Sequence, residues 1–463
     1  MIFKEAQAPG NRKRLFGTSG IRGIVGQDIT EDFCREVAQA TGTNLAPESK
    51  VCIATDTRVS REMVKSAVIS GLRASGIGVT DLGILPTPAL ALLTRKMGFD
   101  TGVMITASHN PPEYNGIKLF NGNSIGYSPE QEAEIERIYE ERSFRNGYTG
   151  SLDQCQDARE VYFQFVTDRF SRAKFASNFR IVVDAGNGAA SGFARDLFSR
   201  LGLDVVPIND EPDGRFPGRN PEPSQDTLAG TIEFTRQQGA ELAVCFDGDA
   251  DRVVFSDREG FLGFNEMTTL ISRFAIARRR KKKVATTVES GRLLELVLGD
   301  MGVEIVRGKV GDASVSYLAQ QIDAAIGVEP IGVYIMPEAG YYPDSFFATI
   351  TLLSQIRKSQ DIRDAIRQMP RLYFSQRKLP CPDSLKALVM GKIEDDGNFL
   401  GTDQVNNLDG LRFEFDDSWI LIRTSGTEPL IRVIAESGSA RKTEALIDKG
   451  VKVVQGILEG LKV

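Results

Sequence analysis

One theme recurs along this chain and limits what it can fold into: a short apolar run, a polar turn, then a segment whose apolar residues are spaced as on a helix. Lys50–Ala54 is such a run, followed by Asp56 and the helical spacing of Met63–Ala74, with further strands at Ile77–Leu82 and Thr101–Ile105. The theme restarts at Arg180–Asp184, with a helix from about Ser191 and strands at Asp204–Ile208 and Leu242–Phe246. It starts a third time at Val284–Val288, with Glu304–Arg307 and Ala324–Gly327 after it. Alternating strands and helices bury both faces of a sheet, so three α/β units follow one another. Beyond about residue 370 the pattern changes to strands at Leu411–Phe415, Trp419–Arg423 and Ile431–Glu436, closed by the long helix Lys442–Leu461. A chain of 463 residues exceeds one core. The expected architecture is therefore three consecutive α/β domains with mixed sheets (1–150, 151–257 and 258–368) and a smaller C-terminal α+β domain (369–463).

Composition narrows the partners. Apolar residues at 41% and charged residues at 25% describe a globular protein, and a net charge of −6 argues against a general nucleic-acid binder, which needs a basic face. The basic run Arg278–Lys283 lies between a helical pattern and a strand and reads as a solvated helix end. Five scattered cysteines without a C-x-x-C pair suggest neither a disulfide framework nor a zinc site, which fits a reducing cytoplasm. No apolar run reaches the roughly 18 residues needed to span a bilayer, so a cytoplasmic protein without a membrane partner is expected.

Four segments carry chemistry. Thr106–Phe120, TASHNPPEYNGIKLF, places Ser108, the chain's only histidine (His109) and Lys118 after an apolar strand. Asn110, Pro111, Pro112, Asn115 and Gly116 predict an irregular, rigid loop there. Ser108 would sit at a strand's end, where open α/β sheets place ligand chemistry, although such residues also build plain surface turns. Asp247–Arg252, DGDADR, follows the strand Leu242–Phe246; its three alternating acids with small spacers can converge on one hard cation, or form a metal-free acidic turn. An EF-hand would need Gly at Arg252 and Glu at Arg258, and magnesium suits a three-acid site better. Arg423–Pro429, RTSGTEP, sits between two strands and offers guanidinium, hydroxyl and exposed backbone N–H groups to an anion, with a plain hairpin turn as the alternative. Gly17–Gly23, GTSGIRG, presents Arg22.

Together, and in this order, the four segments resemble those of the α-D-phosphohexomutase family, which includes phosphoglucomutases, phosphomannomutases and phosphoglucosamine mutases. TASHNPPEYNGIK is similar to the family's phosphoserine loop, DGDADR to its magnesium loop and RTSGTEP to its phosphate-binding loop; PDGRFPGRNPEPS (Pro212–Ser224) and KVGD (Lys309–Asp312) also match. The resemblance implies a mutase that interconverts hexose 6-phosphate and hexose 1-phosphate through a phosphoserine at Ser108 and a hexose bisphosphate, which also serves as primer. It implies four domains around a central cleft. Mg²⁺ would be held by Asp247, Asp249, Asp251 and an oxygen on Ser108. Arg252 and Arg22 would neutralise the transferring group, Lys118 would move the proton, and His109 would support the phosphoserine. Lys309, Glu329, Arg423, Ser425, Gly426, Thr427 and Arg432 would bind the substrate. Small hexose phosphates would be the partners of a monomer or homodimer.

One loop departs from the family pattern. Gly327–Val333 reads GVEPIGV where the family usually reads GGEQSGH, so Ile331 and Val333 stand in place of a serine and a histidine while Glu329 is kept; an Asp-Gly pair downstream becomes Asp344-Ser345. The Glu-Pro-x-Gly form resembles archaeal-type phosphoglucosamine mutases, which favours glucosamine phosphate, with mannose or glucose phosphate as the alternative and a non-catalytic sugar-phosphate sensor as a further one. A lost hydrogen bond is worth about 1 kcal/mol net, which alters specificity sooner than it abolishes activity. Two other classes compete. DAGNGAASG (Asp184–Gly192), with Asp210 downstream, approximates a dinucleotide fingerprint but has Ser191 where the third glycine belongs. A serine hydrolase on Ser108 would have to use the adjacent His109 as its base, and neighbouring side chains are expected to point apart.

Overall fold

The computed structural model describes residues 14–461 except 148, 178, 396–400, 403 and 427. The chain divides into two compact units, Thr18–Arg371 and the segment from Leu372 onward with the N-terminal residues to Gly17.

The larger unit holds three sheets with one shared topology. In the first, Lys50–Thr55 pairs in parallel with Gly78–Ile84 on one side and Thr101–Ile105 on the other, and Tyr114–Asn121 returns antiparallel against Thr101–Ile105. Ile21–Ile24 and Leu152–Gln154 extend the two edges. The second sheet repeats the four-strand order with Arg180–Asp184, Asp204–Ile208, Leu242–Phe246 and the antiparallel Val253–Ser256. The third repeats it with Lys283–Thr287, Glu304–Gly308, Ile326–Glu329 and the antiparallel Val333–Ile335. In each sheet the third strand of the pattern turns back on itself, and that turn carries one of the loops singled out in the sequence: Ser108 in the first, the three aspartates in the second, Glu329 and Pro330 at the third.

The strands buried on both faces are the continuous apolar runs that the sequence showed, such as Thr101–Ile105 and Leu242–Phe246. One expectation is corrected. The segment from Tyr114 is not irregular: Tyr114–Asn121 is an eight-residue strand, and the loop is confined to residues 106–113. Asn115 and Gly116 are tolerated there for specific reasons. The Asn115 amide donates to Ser60 Oγ at 2.8 Å, and a side chain at Gly116 would lie 2.1 Å from the Ile21 carbonyl, so the close strand approach requires glycine.

Aromatic packing joins the sheets. Tyr162 and Phe163 on the helix Ala158–Arg169 meet Phe193, and Tyr162 and Phe193 meet Phe346 on the helix Ser345–Leu353, with ring centroids 4.8 to 6.0 Å apart. The same apolar cluster reaches Leu90 and Met104 of the first sheet region and Ile326 of the third. The basic run ends the helix Phe264–Arg279 as expected, its side chains spent on local partners such as Asp323 and the Met301 carbonyl.

The C-terminal unit is a five-stranded antiparallel sheet in the order Tyr373–Pro380, Leu430–Ser437, Ser418–Thr424, Leu411–Glu414, Val405–Asn406. The helix Ala440–Gly460 buries Ile447 and Val454 in the core of this unit. No helix among the described residues is long and apolar enough to cross a membrane.

Candidate functional site

Ser108 leaves the strand Thr101–Ile105 with φ +50°, a left-handed conformation that a non-glycine residue keeps only when its surroundings impose it. Arg58 supplies that constraint. Its guanidinium is fully buried and donates to four carbonyls of the loop, Pro111 at 2.6 Å, Tyr114 at 2.9 Å, Ser108 at 3.0 Å and Asn110 at 2.6 Å, while Nε pairs with Asp56 at 3.1 Å. Asp56 also accepts from Thr106 Oγ1, which in turn accepts from the Ser108 N–H. Neither Arg58 nor Asp56 stood out in the sequence; a buried arginine has no local pattern, and only the strand-end position of Asp56 hinted at a role.

The loop of three aspartates lies directly against this serine. A Cβ at Gly248 would stand 2.4 Å from the Ser108 carbonyl, so only glycine permits the approach. Ser108 Oγ donates to Asp247 Oδ2 at 2.8 Å. Lys118, brought in by the strand that the sequence read as loop, donates to Asp249 Oδ2 at 2.8 Å and Asp251 Oδ2 at 2.5 Å. Burial alone would lower the Lys118 ammonium, but the two carboxylates outweigh it and hold its pKa above the ordinary range. Burial likewise pushes the Asp249 carboxyl up, and the Lys118 charge with hydrogen bonds from Lys118 and Thr87 reverses this and keeps it ionised.

A cation fits here. One ligand oxygen from each of Asp247, Asp249 and Asp251 lies within 4.8 Å of the others, and all three residues are buried. The Oδ1 atoms of Asp249 and Asp251 are buried with no hydrogen-bond partner, which is costly unless something cationic meets them. An all-oxygen, all-carboxylate set suits a hard divalent ion.

Arg22 and Arg252 stand over the same cluster. Arg22 donates to Asn110 Oδ1 at 3.1 Å, and Arg252 Nε lies 3.9 Å from Asp251. The third sheet's turn joins them through the backbone: Val253 N–H donates to the Gly332 carbonyl at 3.0 Å, and Arg252 bridges Val333. This places Glu329 near Arg252. Its Oε1 accepts from the Gly311 N–H at 2.9 Å, and burial, then the Asp312 charge, push its pKa up to about 7. Lys309 is exposed on the loop that leads to Gly311. Asp312 accepts from Ser19 Oγ at 2.9 Å and so ties that loop to the Gly17–Gly23 segment. Of the two substituted positions, Val333 belongs to an apolar cluster with Ala285 and Val315 and is a core residue, whereas Ile331 is 42% exposed at the turn.

The geometry bears on both competing classes. Asp210 accepts from the Gly192 N–H and pairs with Arg195, and the glycine-rich segment serves as a prop: Ala189 N–H donates to the Gly248 carbonyl at 2.9 Å. That segment therefore supports the loop of three aspartates. Against expectation, His109 Nδ1 does come within 3.2 Å of Ser108 Oγ, because the left-handed turn at Ser108 breaks the alternation that separates adjacent side chains. Burial, then the positive charges of Arg252, Arg22 and Lys118, depress the imidazole to about 2, which leaves it a poor general base.

In the C-terminal unit, Arg423 lies in the strand Ser418–Thr424, and Ser425 and Gly426 follow it before the partner strand Leu430–Ser437. Arg423 lies buried with Nε 3.3 Å from Asp409, and Arg432, its cross-strand partner, pairs with Glu428 at 2.9 Å. Lys386, which the sequence did not single out, donates to the Ser425 and Glu428 carbonyls at 2.6 and 2.7 Å and braces the turn beside Ser425 and Gly426. Thr427 lies outside the described residues.

Residues 13–146, 160–260 and 264–373 match the models for alpha/beta/alpha domains I, II and III of phosphoglucomutase/phosphomannomutase, and residues 378–452 match the model of its C-terminal domain. A "Probable phosphoglucosamine mutase" of Pyrococcus abyssi is 38% identical over 450 residues, covering 96% of this chain and 99% of that protein. The phosphoglucosamine mutase of Methanococcus vannielii is 35% identical over 456 residues, covering 96% and 100%. A crystal structure of a phosphoglucomutase/phosphomannomutase family protein from Burkholderia thailandensis superposes with a TM-score of 0.85 at 26% identity, covering 96% of this chain and 98% of that one. The chain belongs to the phosphoglucomutase/phosphomannomutase family, the α-D-phosphohexomutases.

Proposed function

We propose that this hexose phosphate mutase interconverts glucosamine 6-phosphate and glucosamine 1-phosphate through a phosphoserine at Ser108 and a bisphosphorylated sugar. The observation that carries the proposal is the contact of the Ser108 hydroxyl with Asp247 at 2.8 Å, inside a buried cluster of three aspartates, Lys118, Arg22 and Arg252. The relatives named phosphoglucosamine mutase support the choice of sugar.

In the proposed reaction the P–O bond to Ser108 Oγ breaks as a sugar hydroxyl oxygen forms its own bond to phosphorus. Lys118 gives a proton from its ammonium to the serine oxygen as that oxygen leaves, and takes the proton that the sugar hydroxyl loses in its place. The bisphosphate then presents its other phosphoryl group, which goes back to Ser108, so no water is consumed. Arg22, Arg252 and Lys118 stabilise charge on the transferring oxygens, and His109 supports the serine oxygen as a neutral hydrogen-bonding group. Asp247, Asp249 and Asp251, with an oxygen on Ser108, would hold Mg²⁺, which when bound supplies Lewis-acid stabilisation of the phosphoryl group. Full burial of Ser108, Asp247 and Asp249 keeps bulk water from competing as acceptor. Glu329 accepts sugar hydroxyls beside Lys309, and Arg423, Ser425, Gly426, Thr427 and Arg432 take a phosphate.

Phosphorus NMR tests this with Mg²⁺, a trace of hexose bisphosphate, and glucosamine, mannose or glucose 6-phosphate in separate samples. A 1-phosphate resonance growing fastest with glucosamine 6-phosphate is expected, and Ser108→Ala should remove it. Turnover retained in Ser108→Ala would overturn the phosphoserine, and a faster mannose or glucose sample would overturn the choice of sugar.

A further inference from the structure

The three aspartates alternate along the chain, and an extended strand carrying them would spread every second side chain over roughly 7 Å per step. They converge because the backbone curls at Ala250, whose φ of +58° is left-handed and costs a non-glycine residue energy that its surroundings must offset. Two side chains from outside the loop meet it there. Thr87, the first residue of the helix Thr87–Lys96, donates its N–H to the Asp249 carbonyl at 2.9 Å and its hydroxyl to Asp249 Oδ2 at 2.6 Å. Ser345, the first residue of the helix Ser345–Leu353, donates its hydroxyl to the Ala250 carbonyl at 2.6 Å. Consecutive peptide units of the loop are thus gripped from the first sheet's side and from the third's.

We propose that Thr87 and Ser345 are positioning residues for the metal loop, which hold Ala250 in its left-handed turn and orient the Asp249 carboxylate toward a divalent cation. The proposal rests on the metal assignment above. The hydrogen-bond arrangement specifies the orientation. Thr87 and Lys118 together occupy Asp249 Oδ2, which leaves Oδ1 as the oxygen without a hydrogen bond; on Asp251, Lys118 takes Oδ2, and Oδ1 has no hydrogen bond and only the Arg252 guanidinium 3.9 Å away. Both donors sit at the start of a helix, so the positive ends of two helix dipoles face a loop of three carboxylates. Ser345 is fully buried and Thr87 is 2% exposed, so neither bond competes with water. Without the Thr87 hydroxyl the carboxylate could rotate, and without the Ser345 hydroxyl the Ala250 carbonyl would be buried without that donor.

The test is Mn²⁺ binding to the full chain, followed by the loss of the free-ion electron paramagnetic resonance signal, with circular dichroism to establish folding. Thr87→Val keeps the shape and removes the donor; Thr87→Ser restores it; Ser345→Ala removes the second donor with a residue that suits a helix start. Carboxylate-orienting groups of this kind typically change metal affinity by about 10- to 100-fold, so Thr87→Val and Ser345→Ala should each weaken Mn²⁺ by about 10-fold or more while Thr87→Ser stays close to wild type. Wild-type affinity in either folded donor-deleted variant would overturn the role assigned to that residue. Should Thr87→Val not fold, Ser345→Ala decides the bracing of the loop, and weakened binding in Thr87→Ser would overturn the role of the Thr87 hydroxyl. A wild-type chain that binds no Mn²⁺ would overturn the metal assignment and this proposal together, whereas tight wild-type binding with unaffected variants would overturn the bracing alone.

Discussion

Replacing Arg58 by lysine keeps the charge and most of the side-chain length yet should damage the serine loop. The guanidinium makes five hydrogen bonds, four to carbonyls between Ser108 and Tyr114 and one to Asp56, with both Arg58 and Asp56 fully buried. An ammonium has three donors, so at least two of these bonds are lost. At about 1.5 kcal/mol for a bond to a charged donor, the lower end of its range, the loss is about 3 kcal/mol. With a urea dependence of about 3 kcal/mol per molar, the unfolding transition of the larger unit should fall by on the order of 1 M. Catalysis should suffer too, because Ser108 owes its left-handed backbone to this clamp, and a displacement of about 1 Å at a reacting atom costs up to about 100-fold in rate. Urea titration by circular dichroism and steady-state kinetics on the same preparation separate the two effects. An Arg58→Lys variant with the wild-type midpoint and wild-type kcat would refute the clamp, whatever its crystal structure showed.

Three further outcomes are expected. Chelation by EDTA should abolish turnover and Mg²⁺ should restore it, while Asp249→Asn should require far more Mg²⁺; full activity after chelation would refute the metal assignment. Burial places Glu329 at about 7, so the carboxylate that we propose accepts sugar hydroxyls forms as pH rises, and kcat/KM should climb between pH 6 and 8. The Glu329→Gln variant should keep only the substrate's own phosphate titration, and an unchanged profile in it would refute the assignment. Asp344, which caps the helix Ser345–Leu353 and accepts from Tyr162, is raised by burial from an ordinary 3.8 to about 6. Its protonated form is the one the fold prefers, so it contributes fully below pH 3.8 and loses that contribution as pH rises through 6, about 3 kcal/mol in all. Stability relative to Asp344→Asn should therefore fall across that window and stay level above it, as a pH series of urea midpoints would register.

The legibility of this chain followed the range of the interactions involved. Continuous apolar strands such as Thr101–Ile105 and Leu242–Phe246 appeared in the structure with the bounds that the sequence set, because their pattern is local and burial on both faces favours an unbroken apolar run. The strand Tyr114–Asn121 was missed because Asn115 and Gly116 are turn formers in isolation, and only the neighbouring Ile21 carbonyl and Ser60 hydroxyl make them suitable for a strand. The chemistry-bearing residues were visible as motifs, since Ser108 and the three aspartates each lie within a few positions of a strand end. Their supports were not. Arg58, Thr87, Ser345 and Lys386 act across separations of about 40 to 160 residues, and nothing in their own surroundings along the chain marks them.

The repeated topology explains how such a site can be assembled at all. Three sheets of the same strand order each end their third strand in a turn, and these turns supply Ser108, the three aspartates and Glu329. With Asp247, Asp249 and Asp251 ionised, as a bound cation would make them against the burial that pushes Asp247 and Asp251 up, their charge is offset by Lys118, Arg22 and Arg252, all six drawn from loops and strands of the larger unit. A divalent cation added to that neutral set would leave an excess of about two positive charges, the complement of a phosphoserine carrying about −1.5 to −2. Removing any one cation should accordingly weaken the phosphorylated form more than the fold. Arg252→Met is the sharpest case, because the chain that carries it is still held by the Val253 bond to Gly332. Mass spectrometry of the resting enzyme should find less phosphoserine in that variant at unchanged thermal stability, and a wild-type phosphoserine content would show that the charge balance does not govern the site.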